Sequence, residues 1–452
     1  MTPVMPTRVL ILGSGGREHA IAWKLAAEPG INEVVVAPGS FAMTAEPGVR
    51  AMPKVDCLDP AAAVMAARTV AAELVVIGPE APLAAAVGDA LRAAGFAVFG
   101  PDRAAARIES SKAFCHEIAA AAGVRTARSG AFSDAGAAIA FARDLDARGL
   151  GVVVKADGLA AGKGVTVCDD IGAAESAIRA LTPSRDLNEA FVVVEERLHG
   201  PEASLIAITD GLDAIALPPA RDHKRLLDDD RGPNTGGMGA YSPLPDLADD
   251  AVDGLLEAFH RPILAELARR GTPFVGALYA GLILTEDGPV LLECNARFGD
   301  PETQVLLPRL ATALGPLLLA SARGTLGAAA ARLGLAGSRL PTLPGASVGV
   351  VLAAAGYPDA PRRGDAISGL DEAAADGALV FHAGTTRDPD GTVRTHGGRV
   401  LAVVGRGPDL ASAAAVADAA ADRIRFAGVQ RRHDIARPRR IPTPATPVGA
   451  AR

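Results

Sequence analysis

Residues 8–26, RVLILGSGGREHAIAWKLA, decide how the first part of the chain folds. The apolar run at 8–12 is typical of a buried strand, and the glycines that follow end it. Residues 17–26 then place their apolar side chains at helical spacing. Three further apolar runs, NEVVVAPG, ELVVIGPE and FAVFGPD, each end at Gly or Pro and are separated by Ala-rich helical stretches. This alternation predicts a parallel sheet covered by helices.

The remaining chain has a different pattern. SSKAFCHEIAAAAG predicts a helix whose serines cap its N-terminus. GVVVKADGLAAGKGVTVC predicts two strands around a glycine-rich turn, and FVVVEERLHGPEASLIAIT predicts two more. Residues 213–243 are predicted to be irregular, and a loop of that length is uncommon unless it is functional. A helix follows at AVDGLLEAFHRPILAELARRG, and VGALYAGLILTEDGPVLLEC predicts a hairpin that turns at Glu286-Asp287-Gly288.

Length and composition limit the class of protein. A chain of 452 residues is too long for one core, so several domains are expected. The 45 basic and 52 acidic side chains give a net charge of -7, which disfavours a general nucleic-acid binder. The four cysteines are scattered without a CxxC pair, which suits a reduced cytosolic protein and offers no zinc cluster. No signal peptide and no apolar window of ~20 residues is found. We therefore expect a soluble cytoplasmic protein with no membrane or nucleic-acid partner.

The loop GSGGREH, residues 13–19, lies between a strand and a helix, where backbone N–H groups and the helix dipole favour an anion. It suggests the dinucleotide fingerprint GxGxxG, but the third glycine position is occupied by Glu18. The acidic residue expected after the second strand is also missing, because Glu33 precedes that strand. A nicotinamide site is therefore disfavoured. A phosphate site is favoured over a simple tight turn, because Arg17 adds a cation there.

Three further motifs each have a functional and a structural interpretation. In KADGLAAGKG, residues 155–164, the glycines and two lysines could cover a phosphate, or form a flexible hairpin with a solvated lysine. It lacks the GKS/T ending of a Walker A loop. Glu195 and Glu196 could contact a nucleotide, or mark where a strand meets solvent. The charged segment 221–243 could be a substrate loop or a solvated face.

The segment LLECNARFGDPETQ, residues 291–304, ends an apolar run with polar side chains. If LLECN is a strand, Glu293 and Asn295 share one face and Cys294 points to the other. Two oxygen ligands on one face suit Mg²⁺, whereas Cys294 is predicted to be a small core residue. Arg297 would stand beside this site, ready for a carboxylate or a phosphate. The alternative is a strand end with polar turn residues.

In their order, these motifs resemble the ATP-grasp ligases, and among them the phosphoribosylamine–glycine ligase family of purine biosynthesis. The resemblance runs from GSGGREHA through GPEAPL, SKAF, KADGLAAGKGV, EERLHGPEAS, DHKR, NTGGMGAYSP and LYAGLILT to ECNARFGDPETQ. It continues in GYP, FHAGT, GGRVL and RIRFAGVQRRHDI, and covers about residues 7–435. NTGGMGAYSP together with RFGDPETQ is the most specific part of it.

The resemblance implies roles for particular residues. It implies ATP and Mg²⁺ or Mn²⁺ as cofactors, and glycine and 5-phosphoribosylamine as substrates that react through glycyl phosphate. The residues implied to bind ATP are Lys112, Lys155, Gly162, Lys163, Gly164, Glu195, Glu196, Leu198 and Glu202. The metal ligands would be Glu293 and Asn295, and the catalytic residues Arg297 and Asp222. The residues implied to bind the substrates are Gly15, Gly16, Arg17, Glu18, Glu80, Lys224, Asn234, Gly236, Gly237 and Met238.

The resemblance also implies an α/β fold in three domains. These are an N-terminal parallel-sheet domain at 1–108, a two-part ATP-grasp domain at 109–330 with a lid subdomain at about 125–197, and a C-terminal α+β domain at 331–435. The remaining segment 436–452 is Pro-rich and aperiodic, which predicts a disordered tail. The chain is expected to be a monomer. Two alternatives stay open: another ATP-grasp ligase or carboxylase with a different acceptor, and a non-catalytic ATP-binding regulator. One departure from related ATP-grasp proteins is that YAGLIL, the strand before ECN, carries no metal-binding carboxylate.

Overall fold

The computed structural model describes residues 4–159, 164–181, 191–248, 250–335 and 337–437. Its N-terminal part is a five-stranded parallel sheet in the order β3-β2-β1-β4-β5, as the sequence predicts. The order reverses between β1 and β4, so the carboxyl ends of these two strands open a crevice. The elements are β1 Arg8–Gly13, α1 Gly16–Ala26, β2 Glu33–Pro38, β3 Val49–Ala51, α2 Pro60–Val70, β4 Leu74–Ile77, α3 Glu80–Ala84, α4 Val87–Ala93 and β5 Val98–Phe99.

A second sheet is antiparallel, in the order β6-β9-β7-β8, and with its two helices it encloses an apolar cluster of its own. The Ser111 hydroxyl accepts a bond from the Phe114 N–H at 3.1 Å, which confirms the predicted N-terminal cap of the helix Lys112–Ala121. The predicted lid residues Gly162 and Lys163 lie outside the described residues. The elements are α5 Arg103–Ser110, α6 Lys112–Ala121, β6 Ser129–Phe132, α7 Ala135–Ala147, β7 Val152–Ala156, β8 Val165–Cys168, α8 Ile171–Leu181 and β9 Val192–Glu196.

The third sheet, in the order β11-β10-β16-β17, contains the predicted hairpin, whose last pair is Thr285 and Gly288. The prediction that 213–243 is irregular was wrong. Five short strands lie there; each has only two to four residues, too few to show an alternating pattern, and β15 pairs with the distant β18. The elements are β10 Glu202–Asp210, β11 Ala214–Ala216, β12 Arg221–Asp222, β13 Arg225–Leu227, β14 Arg231–Asn234, β15 Gly239–Ser242, α9 Ala251–Leu255, α10 Arg261–Arg269, β16 Val275–Thr285 and β17 Gly288–Asn295.

The C-terminal part completes the fold with a sheet in the order β12-β15-β18-β22-β19. Two of these strands precede residue 330, so the segment 221–242 and the C-terminal part share one sheet. The domain limits themselves stay predictions. The elements are α11 Glu302–Leu306, α12 Gly315–Ala322, α13 Leu326–Arg332, β18 Ala346–Ala353, α14 Leu370–Ala375, β19 Leu379–His382, β20 Thr385–Arg387, β21 Val393–Thr395, β22 Arg399–Gly407 and α15 Leu410–Arg423.

The buried His260, between α9 and α10, makes stability depend on pH. Its Nε2 lies 3.2 Å from the Leu278 carbonyl oxygen. Burial lowers the pKa of His260 to about 4. Below pH 6.5 the His260 imidazole is therefore protonated in the unfolded chain but stays neutral in the folded chain. The free energy of unfolding consequently falls as the pH falls from 6.5 towards 4. Between pH 6.5 and pH 5 the free energy of unfolding of the parent should fall by about 2 kcal/mol because of His260, at ~1.4 kcal/mol per pKa unit. We expect this contribution to be absent in His260→Gln.

Urea unfolding of both proteins across this pH range measures the effect. His396→Gln is the matched control, since His396 is exposed, and it should keep the pH dependence of the parent. An unchanged pH dependence in His260→Gln would show that His260 is not the group responsible.

Candidate active site

A cavity of about 2320 Å³ lies where the N-terminal crevice, the second and third sheets and the C-terminal part meet. The second sheet contributes one wall, and β17 with the segment 221–236 contributes the opposite one. Sixteen of the residues that the sequence singles out line this cavity. They are Arg17, Glu80, Lys112, Lys155, Gly164, Glu195, Glu196, Leu198, Glu202, Asp222, Lys224, Asn234, Gly236, Glu293, Asn295 and Arg297.

Lys155 is held in place by a buried carboxylate. Its Nζ lies 2.8 Å from Glu195 Oε2, and Glu195 Oε1 lies 2.7 Å from His116 Nε2. His116 Nδ1 in turn contacts the Ser129 hydroxyl at 3.0 Å. Although burial alone would raise it, the positive charge of Lys155 lowers the pKa of Glu195. The Glu195 side chain therefore stays ionised and orients the lysine, while Glu196 and Leu198 lie beside it on the cavity wall.

Lys112 supplies a second amino group to the same wall. Its Nζ donates to the Gly158 carbonyl at 2.9 Å, and its backbone N–H donates to Asp157. Burial lowers the pKa of Lys112, and the nearby charge of Lys155 acts in the same direction. Two partly desolvated cations that face one cavity attract an anion such as a polyphosphate.

A group of alternating charges lies opposite these lysines. Lys224 Nζ is 2.8 Å from Glu202 Oε2 and 3.5 Å from Glu293 Oε1. The positive charge of Lys224 holds the pKa of Glu293 below its usual value, so Glu293 is ionised. Burial raises the pKa of Asp222 well above its usual value, and the neighbouring Glu302 and Glu202 raise it further. The charge of Lys224 acts against this shift, and the balance favours the protonated form of the Asp222 carboxyl more than in water.

Glu293 and Asn295 are half-buried at the cavity, whereas Cys294, which also borders it, is 3% exposed and packs in the apolar core. This confirms Cys294 as the predicted small core residue of β17. Among the described residues no group of three or more His, Cys, Asp and Glu side chains could hold a metal ion. One ionised carboxylate and one amide oxygen still fit Mg²⁺, because this ion takes its remaining ligands from phosphate and water.

Arg297 is clamped between two carboxylates. Its Nη2 lies 2.8 Å from Glu109 Oε1, its Nε lies 3.3 Å from Glu80 Oε2, and its Nη1 donates to the Phe298 carbonyl at 3.2 Å. Although burial opposes it, the charges of Arg297 and Arg17 lower the pKa of Glu80. Burial raises the pKa of Glu109. The guanidinium is thus fixed at the cavity wall, at the carboxyl ends of β1 and β4.

The other described residues that the sequence singles out pack behind the cavity-lining residues. Glu18 is 2% exposed; its Oε2 accepts from the Gly15 N–H at 2.7 Å and its Oε1 lies 2.5 Å from Arg17 Nε. Met238 is fully buried against the C-terminal part. Gly16 and Gly237 pack closely: an added Cβ would meet Gln304 Nε2 at 2.9 Å in the first case and Pro301 Cδ at 2.5 Å in the second. Direct contact of these residues with a substrate stays a prediction.

The structure adds residues that sequence reasoning missed. Arg399 from β22 pairs with Asp300 at 3.1 Å and donates to the Gly236 carbonyl. Tyr357 accepts at its hydroxyl from the Gly236 N–H at 2.9 Å. Asp300, Tyr357 and Arg399 fall within the motifs RFGDPETQ, GYP and GGRVL. The resemblance therefore marked these segments, but it did not indicate which of their side chains lie at the cavity. Glu109 had no such signal.

Cys294 allows a direct test of the two faces of β17. Cys294→Ala should leave turnover within two-fold of the parent and reduce stability by about 1 kcal/mol, because the thiol is buried and packs in the apolar core. Steady-state turnover and thermal unfolding of the variant measure both quantities. Cys168→Ala, which changes the separate core of the second sheet, is the control for stability. A tenfold loss of turnover would place Cys294 in the site.

None of the helices in the described part of the chain is long and apolar enough to cross a membrane.

The fold and the site together define an ATP-grasp protein. A parallel-sheet domain lies next to two antiparallel sheets, and their shared cavity has lysines on one wall and an acidic strand on the other. Family models agree along the chain: the N domain of phosphoribosylglycinamide synthetase matches residues 7–109, its ATP-grasp (A) domain 110–303 and its C domain 347–438. The chain belongs to the phosphoribosylglycinamide synthetase family.

Individual relatives support the same assignment. The phosphoribosylamine–glycine ligase of Leifsonia xyli subsp. xyli is 48% identical over 435 residues, covering 95% of this chain and 99% of that one. The enzyme of that name from Streptomyces coelicolor is 49% identical over 432 residues, covering 95% and 98%. The crystal structure of phosphoribosylamine–glycine ligase from Thermotoga maritima has a TM-score of 0.75 at 33% identity, covering 94% and 99%. A Hydrogenobacter thermophilus biotin carboxylase domain with MgADP, at 17% identity and TM-score 0.66, shares the fold.

Proposed function

We propose that this protein is an ATP-dependent carbon–nitrogen ligase. It joins glycine to 5-phosphoribosylamine and forms glycinamide ribonucleotide, ADP and phosphate in purine biosynthesis. The observation that carries the proposal is the single cavity. It brings cationic Lys112 and Lys155, the ionised Glu293 with Asn295, and the fixed Arg297 together, in a chain that aligns with ligases of this name over 95% of its length.

The first step is transfer of the γ-phosphate of ATP to glycine. A carboxylate oxygen of glycine attacks the γ-phosphorus, the bond to ADP breaks, and glycyl phosphate forms. Lys112 and Lys155 neutralise phosphate charge, and Glu195 keeps Lys155 in position. Lys163 and the glycines at 162 and 164 cover the phosphates in this proposal. The backbone near Leu198 holds adenine, and Glu202 holds the ribose.

Glu293 and Asn295 would hold Mg²⁺ or Mn²⁺, which supplies neutralisation of the phosphate charge that develops during transfer. Glu293 suits this role because the charge of Lys224 keeps it ionised. The YAGLIL strand offers no further carboxylate, so phosphate and water oxygens complete the ligand set.

In the second step the amine of phosphoribosylamine attacks the glycyl carbonyl carbon and phosphate leaves. Arg297 orients the glycine carboxylate in the first step and the acyl phosphate in the second through its planar guanidinium, which Glu80 and Glu109 hold fixed. The proton that the attacking amine loses leaves with the phosphate, and Asp222, whose pKa is raised by burial, is the catalytic carboxyl that we propose at this wall. Arg17, Lys224, Asn234 and the loop at Gly236 face the acceptor in this proposal.

Two other functions compete with this one. A carboxylase would keep the nucleotide wall, and biotin carboxylase domains share the fold. Their identity of 16–17%, against 48–49% for the ligases, supports the ligase. A non-catalytic ATP-binding regulator would not need an ionised Glu293 beside a clamped Arg297.

The test is release of ADP with glycine and freshly prepared phosphoribosylamine, with each substrate omitted in turn. The proposal expects stoichiometric ADP and glycinamide ribonucleotide only when both are present. ADP release that depends on bicarbonate, or ATP binding without turnover, would support a competing function instead.

We further propose that the protein acts as a monomer in the cytoplasm. Its four cysteines are free thiols. The large apolar side chains that are exposed in the described part of the chain are spread from Val4 to Val429. Sedimentation at micromolar concentration tests the monomer directly.

A further inference from the structure

A short C-terminal segment, residues 432–434, which we call the strap, is tied to an acidic turn at residues 228–230. Arg432 in the strap is 1% exposed, although it carries a full charge. Its Nε and Nη2 contact Asp434 at 2.7 and 2.6 Å, and its Nη1 contacts Asp230 at 2.8 Å and the Arg225 carbonyl at 3.2 Å. A buried guanidinium with partners on both segments joins them.

Backbone groups reinforce the connection in both directions. The Asp229 N–H donates to Asp434 Oδ2 at 2.9 Å, and the His433 N–H donates to Asp228 Oδ1 at 2.8 Å. Asp229 and Asp230 have φ angles of 59° and 52°, a left-handed conformation that aspartate adopts more readily than most residues but that still costs energy relative to the right-handed one. Two such residues in succession need surrounding contacts to hold them. The strap supplies those contacts.

The acidic turn lies inside the segment that forms one wall of the cavity. We call residues 222–238 the acceptor loop; Asp229, Asp230, Asn234 and Gly236 within it line the cavity. The turn joins β13 to β14, which pair with each other. The carbonyl of Lys224 accepts from both the N–H and the hydroxyl of Thr235 at 2.8 Å. Displacing the turn would therefore move the end of this loop that carries Asn234 and Gly236, whereas Lys224 at the other end is also held by Glu202 and Glu293.

We infer that Arg432 is a positioning residue for the acceptor amine. It sets the conformation of the acceptor loop through the acidic turn, and so acts on phosphoribosylamine and not on ATP. The inference rests on the proposed function. The nucleotide wall is the second sheet, which has its own apolar core, and Lys155 there is held by Glu195.

The experiment compares Arg432→Met with Arg431→Met. Arg431 is the neighbouring arginine, and its pairs are with Asp418 and Asp422 of α15. We expect Arg432→Met to raise the KM for phosphoribosylamine at least tenfold and to weaken binding of glycinamide ribonucleotide by a similar factor in calorimetry. The KM for ATP should stay within two-fold. Arg431→Met should leave all three constants within two-fold of the parent.

A merely structural role would lower kcat by reducing the active fraction, with both KM values unchanged, and that result would overturn the inference. Asp228→Ala provides a milder change, because Asp228 is part-exposed and loses only its bond to the strap. It should raise the amine KM about two- to fivefold, also without a change for ATP. If both variants fold and neither changes the KM for the amine, the inference is overturned. If Arg432→Met does not fold, an unchanged amine KM in Asp228→Ala alone overturns it. Ligation by the parent chain, measured first, tests the proposed function separately.

Discussion

Replacing Glu293 with glutamine should remove nearly all turnover and leave the thermal transition close to that of the parent. Glu293 lies at the cavity wall with its pKa lowered by Lys224, so the parent presents a full negative charge there. Glutamine keeps the shape and can still accept a bond from Lys224, but it lacks the charge that a divalent cation needs. We expect kcat to fall by roughly 10²–10³-fold.

Turnover at increasing magnesium, together with thermal unfolding, measures this effect. Glu286→Gln is the matched control, because Glu286 is an exposed residue at the turn of the same β16–β17 hairpin. It should behave as the parent in both measurements. Full activity of Glu293→Gln at ordinary magnesium would exclude Glu293 as a principal metal ligand.

Arg297→Lys should separate glycine activation from ATP binding. Arginine presents a planar fork that matches a carboxylate bidentately, whereas lysine is a point charge on a flexible stem. Glycine has almost no side surface, so its carboxylate must supply much of its orientation. We expect a loss of about 2–4 kcal/mol in kcat/KM for glycine. ATP affinity should stay within a few-fold, because Lys112, Lys155 and Glu293 remain.

ATP binding and kcat/KM for glycine are measured on the same preparation. Arg125→Lys is the control, since Arg125 is exposed and donates to the Asp287 carbonyl at the far end of the hairpin. A joint fall of both quantities would assign Arg297 to the nucleotide site or to the fold, where it also holds Glu109 and Glu80. No fall in either would make it an ordinary surface arginine.

Local patterns predicted those parts of the fold that depend on neighbours in sequence. The parallel N-terminal sheet, the Ser111 cap, the β16–β17 hairpin and the opposite faces of Glu293 and Cys294 all follow from periodicity or turn chemistry. The strands between residues 213 and 243 were missed, because each has only two to four residues and β15 is paired with β18, about a hundred residues further along the chain. Propensity carries no information about such a partner.

The candidate site shows the same division. Motifs indicated which segments meet in the cavity, but not which side chains face it. Glu195 follows a run of valines, and its motif did not indicate that its side chain pairs with Lys155 and His116 at the cavity wall. Glu109 and Arg399 contact Arg297 and Gly236 across 188 and 163 residues of chain respectively, so only the folded structure could identify them.

The most direct test of the central claim uses glycine labelled with ¹⁸O in both carboxylate oxygens. If glycyl phosphate forms in this cavity, the oxygen that attacks the γ-phosphorus leaves with phosphate when the amine displaces it. Mass spectrometry should then find one ¹⁸O atom in each phosphate released and the other in the amide of the product. Phosphate without ¹⁸O, released as the same product accumulates, would contradict activation of glycine by phosphoryl transfer.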